Sequence, residues 1–75
     1  MAGGEGVIEF YAVLEVAPHA RPEVIEAAFV VLREAAIAAD GDDALARLVE
    51  LNRAHAVLAD PERRHAYDVT RRTSG

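Results

Sequence analysis

The chain contains no cysteine, no tryptophan and no lysine. With no cysteine, no disulfide can staple the fold, and the histidines (His19, His55 and His65) are scattered without thiol company, which speaks against a structural zinc. No apolar run is long enough to span a bilayer, and residues 1–6 lack the basic stretch that opens a secretory signal. By elimination the expected location is cytoplasmic. The net charge of −5 gives weak attraction to a phosphate backbone, so neither nucleic acid nor a membrane is an expected partner. Aromatics are also scarce, at 5% of 75 residues (Phe10, Tyr11, Phe29 and Tyr67). A chain this short buries only roughly 60–65% of its unfolded surface, so an aliphatic, alanine-rich core has to supply the stability. An apolar fraction of 52% is generous enough for that, and the alanine content favours helices over strands.

Punctuation divides the chain into four helical segments. Residues 1–6 read as a flexible lead. The first helix is expected over about 8–15, with Phe10, Val13 and Leu14 on one face, and Ala17-Pro18 stops it. The second is expected over 22–39. Pro22 and Glu23 suit a first turn, although Arg21 is a poor cap, and Ile25, Ala28, Phe29, Leu32 and Ala36 form a core-facing stripe that ends before Gly41. The third is expected over 43–59, capped by one of Asp40, Asp42 or Asp43, with Leu45, Leu48, Leu51, His55 and Leu58 on its inner face. The fourth is expected over 61–70. Asp60-Pro61-Glu62 is a cap, a first-turn proline and a first-turn acid in order, Ala66, Tyr67 and Val69 are the apolar contacts, and 71–75 reads as a flexible tail. The expected fold is all-α, with the second and third helices paired as a central antiparallel hairpin and one domain spanning 7–70.

Several stretches resemble the J-domain family. Phe10-Tyr11-Ala12-Val13-Leu14-Glu15-Val16 is similar to its opening aromatic-Tyr-x-x-Leu-Gly-Val, and Ile25-x-x-Ala28-Phe29-x-x-Leu32 to its second helix. Leu51-Asn52-x-Ala54-His55-x-Val57-Leu58-x-Asp60-Pro61-x-x-Arg64-x-x-Tyr67-Asp68 resembles its third helix, the turn and the fourth helix. The resemblance covers about residues 9–68. It implies a DnaJ-like four-helix fold and a chaperone-related role. The departures carry the functional expectation. Where the family has His-Pro-Asp after its second helix, this chain has Ile37, Ala38 and Ala39, which offer no charge and no side-chain hydrogen bond. The family's second helix carries bases that meet an acidic face of a DnaK-type chaperone. Here the solvent side holds Glu23, Glu26 and Glu34, with Arg33 the only base. Like charges at a docking face oppose encounter. Glu15 also stands where the family has Gly.

The second helix carries another apolar stripe beside the core-facing one: Val24, Ala27, Val31, Ala35 and Ala38, with Val30 close by. An apolar strip where polar residues belong marks an interaction site. Its expected occupant is a protein, either another J-like domain or a second copy. In the competing reading Val30 and Val31 are covered by residues 69–75 or by the lead. The expected function is a J-like interaction module without ATPase-stimulating activity. The alternative is a divergent co-chaperone that still binds a DnaK-type partner. His55 reads as a half-buried packing residue, the Asp40-Gly41-Asp42-Asp43 turn lacks the remaining ligands of a calcium loop, and Arg63, Arg64, Arg71 and Arg72 read as a solvated basic face. No catalytic triad or phosphate loop is present, so no enzyme activity and no cofactor are expected.

Overall fold

A computed structural model describes residues 9–74; the lead at 1–6 lies outside the described residues. The described residues form four helices, α1 (Phe10–Val13), α2 (Pro22–Ala39), α3 (Asp42–Leu58) and α4 (Pro61–Ser74). The fold is all-α, as expected. α2 and α3 form the central hairpin, and α3 packs against each of the other three helices. Tyr11, Leu14, Ile25, Leu51, Ala54 and Leu58 make the buried core, with Phe29, Leu32, Leu48 and Val57 packed around it.

α1 is a single turn, shorter than the expected 8–15. The Val16 N–H donates to the Tyr11 carbonyl at 3.0 Å and the Glu15 N–H to the Ala12 carbonyl at 3.0 Å. This pair of bonds is a Schellman ending, which needs a left-handed residue just past the helix. That residue is Glu15, with φ of 57°. A side chain in this conformation costs about 1–2 kcal/mol, and glycine escapes the cost. Glu15 also faces Arg47 at 3.4 Å, but both side chains are solvent-exposed, at 64% and 44%, so the pair is worth little. Glu15→Gly is therefore expected to stabilise the domain by about 1 kcal/mol after its greater unfolded-state freedom is counted. Thermal unfolding followed by circular dichroism checks this, and an unchanged or lowered midpoint contradicts it.

Arg21 caps α2 without a side-chain hydrogen bond, as its poor cap chemistry predicts. The turn into α3 is only Asp40-Gly41, both with positive φ (58° and 104°). None of the aspartates caps α3. Gly41 occupies the cap position, Asp42 and Asp43 lie in the first turn, and the Asp40 carboxylate accepts the Gly41 N–H at 2.9 Å. Leu45 is 61% exposed rather than core-facing, because the inward stripe of α3 begins one residue earlier, at the buried Ala44. The cap of α4 is the expected one: Asp60 Oδ1 accepts the Glu62 N–H at 2.9 Å.

α4 departs furthest from expectation. It runs on to Ser74 instead of ending at 70. Ala66 and Val69 are exposed. The inward face is Arg64, Tyr67, Asp68 and Arg71, each partly buried, at the i, i+3, i+4, i+7 spacing of an inward stripe.

Candidate interaction surface

Two regions stand out, the outer face of α2 and the polar seam between α1 and α4. On α2, Val24, Ala27, Val30, Val31, Ala35 and Ala38 are all exposed, Val24 at 46% and Val31 at 63%. Of the tail at 69–75, the side chains of 69–72 do not cover Val30 or Val31, since α4 packs on α3 rather than α2; the lead, the alternative cover, lies outside the described residues. The stripe faces outward because Ile25, Phe29, Leu32 and Ala36 turn the opposite side of the helix toward the core. A shallow apolar groove of about 360 Å³ opens along it, between Val24, Ala27, Ala28 and Val31 of α2 and Glu15-Val16.

Beyond the strip, α2 continues unbroken through Ile37, Ala38 and Ala39 to the hairpin tip. All three are exposed, Ile37 at 53%. The tip therefore presents aliphatic groups and, past them, the carboxylates of Asp40, Asp42 and Asp43. On the other side of α2, His55 stacks on Phe29 with ring centroids 4.0 Å apart and donates from Nε2 to Glu26 Oε1 at 2.7 Å. It is the half-buried packing residue expected, and it ties α3 to α2.

The polar seam has no counterpart among the sequence expectations. Arg64 Nε donates to the Tyr11 hydroxyl at 3.0 Å, and its Nη2 donates to the carbonyls of Pro18 (3.0 Å) and Ala20 (2.7 Å). The Tyr11 hydroxyl in turn donates to Asp68 Oδ1 at 2.7 Å. Further along, Arg71 clasps Glu9 through two bonds, at 2.9 and 2.6 Å, while the Tyr67 hydroxyl donates to Glu9 at 2.8 Å and accepts the Phe10 N–H at 2.9 Å. Phe10 stacks on Tyr67 at 5.0 Å. Burial raises the pKa of both tyrosines, and the hydrogen bonds to Asp68 and Glu9 raise them further, so both hydroxyls stay protonated at neutral pH. Arg64 and Arg71 are thus structural ties, not the solvated basic face read from the sequence. The signal was available in the spacing of Arg64, Tyr67, Asp68 and Arg71; a search for hydrophobic residues alone passes over it because three of the four are charged. The groups here satisfy one another, which leaves the seam occupied with holding the fold together.

A second depression, of about 280 Å³, lies between the starts of α2 and α4 and is lined by Leu58, Arg64, His65 and Asp68. It is wide open, and Arg64 and Asp68 are already engaged in the seam. Among the described residues no group of three or more metal-ligating side chains converges, and no helix is long and apolar enough to cross a membrane. What fold and surface together define is a small four-helix domain with a greasy outer helix. No protein-family profile, curated protein or solved structure matches the chain.

Proposed function

We propose that the domain is a J-like protein-interaction module that does not stimulate a DnaK-type ATPase and that works through the outer face of α2. The observation that carries this reading is the unbroken run of α2 through Ile37, Ala38 and Ala39, flanked by an exposed apolar strip. A J-domain needs an imidazole, a helix-breaking ring and a carboxylate at that place. Aliphatic side chains there have neither the charge nor the hydrogen-bonding atoms to engage a polar chaperone surface. The family part of the reading is supported by where the most specific motif residues fall. Asp60 caps α4, while Arg64, Tyr67 and Asp68 bind α4 to α1. The Gly position of the family's first turn is matched by a left-handed residue, Glu15. The proposed location is cytoplasmic, and the proposed role is binding, not catalysis.

The test is steady-state ATP hydrolysis by a DnaK-type chaperone with this chain added. The expected result is an unchanged rate over a wide range of added protein. A clear, saturable rise would sink the proposal, and its loss in Arg33→Ala would favour a divergent co-chaperone, since Arg33 is the one base on α2.

A further inference from the structure

The strip on α2 has a symmetry that points to its occupant. Val24 lies seven residues before Val31 and Ala38 seven after it, and Ala27 and Ala35 lie four residues to either side. When two such helices run antiparallel about a two-fold axis at Val31, every strip residue meets a strip residue: Val31 meets Val31, Ala27 meets Ala35 and Val24 meets Ala38. A two-fold interface requires this self-complementarity of one patch. The alanines let the axes approach to the short end of the usual 8–10 Å separation.

Charge at the ends agrees. Arg21 stands at the N-terminal end of α2, while Asp40 closes its C-terminal end and Asp42 and Asp43 open α3 beside it. The antiparallel arrangement thus brings the Arg21 end of each copy toward the acidic hairpin tip of the other. Arg21 is available for this: its side chain is 81% exposed, and its ion pair with Glu23 spans 4.0 Å in water. Glu23 falls opposite Ala39 and close to the same acids, which limits what the ends contribute. Antiparallel helix dipoles also attract.

We infer that α2 pairs antiparallel with α2 of a second copy of this chain, in a two-fold register centred on Val31. This rests on the functional reading above and names the partner of the same surface. A contact running from Val24 to Ala38 is about 21 Å long and one helix wide. That is less than a standard interface buries, so the dimer is weak, with a dissociation constant above about 1 µM.

The absence of native cysteine makes single-cysteine cross-linking a direct test of register. Under mild oxidation, Val31→Cys is expected to give a covalent dimer. A mixture of Val24→Cys and Ala38→Cys should link to each other, whereas Val24→Cys alone and Leu45→Cys on α3 should not. Sedimentation at high concentration should find the native chain dimeric and Val31→Glu monomeric. Equal self-linking by Val24→Cys would mean parallel packing and would overturn the inference. So would a native monomer with no linking by Val31→Cys. In that case, a thiol of the Val31→Cys variant that reacts freely with a bulky maleimide leaves the strip for a different protein, and a protected thiol assigns it to residues 1–8. Both results overturn the pairing without touching the ATPase result, which alone decides the parent reading.

Discussion

Leu51→Ala is expected to lower the unfolding free energy by roughly 3–4 kcal/mol, within the range for a fully buried leucine. Leu51 has no exposed surface and sits midway along α3, the helix that packs on all the others. A domain of 75 residues has a total stability of roughly 4–11 kcal/mol by the usual per-residue range. The substitution therefore removes a large share of it, and the melting midpoint should fall by about 15–25 °C. Leu45→Ala, on the same helix, provides the contrast. Its side chain is mostly in water, and the loss should stay within about 0.5 kcal/mol. Urea unfolding of both variants measures the difference directly. Similar losses in the two would mean that the inward face of α3 has been misplaced.

The second large effect is expected at Arg64. Arg64→Ala should cost about 2–3 kcal/mol, the scale for charge-assisted hydrogen bonds lost from a partly buried site. The guanidinium reaches three acceptors on two segments, the Tyr11 hydroxyl and the carbonyls of Pro18 and Ala20. Removing it leaves the α1–α2 connection and α4 without their tie. Arg64→Lys should recover less than half of the loss, because a single ammonium lacks the planar fork that spans those acceptors. A parallel set of unfolding curves tests this; full recovery by lysine would show that charge alone, and not the fork, holds the connection.

These two residues also mark what sequence reasoning can and cannot see. Leu51 follows from periodicity: α2 and α3 carry apolar residues at helical spacing between Pro and Gly stops, so their extents and the hairpin are readable. At the first turn of α3, Ala44 and Leu45 both fit a helical stripe, and hydrophobicity points to the larger residue although packing chooses the smaller. α1 ends early because the chain turns left-handed at Glu15, a residue whose side chain gives no hint of it; only the family likeness, with Gly at that place, carries the signal. The outer strip of α2 is legible residue by residue, since exposure there follows once Ile25, Phe29, Leu32 and Ala36 are committed to the core. The seam is not, because arginine, tyrosine and aspartate pack by mutual hydrogen bonding, which a count of apolar positions does not register.

The double bond between Glu9 and Arg71 has a mechanical side. It joins the start of the first helix to the last turns of the fourth, so a pull on the backbone at residues 9 and 71 loads this one ion pair before anything else. Bonds loaded one after another yield one after another. Under tension the domain would unzip from this corner, with Tyr67 next and Arg64 after it, while the pairing of α2 with α3 takes up load only once this seam has opened.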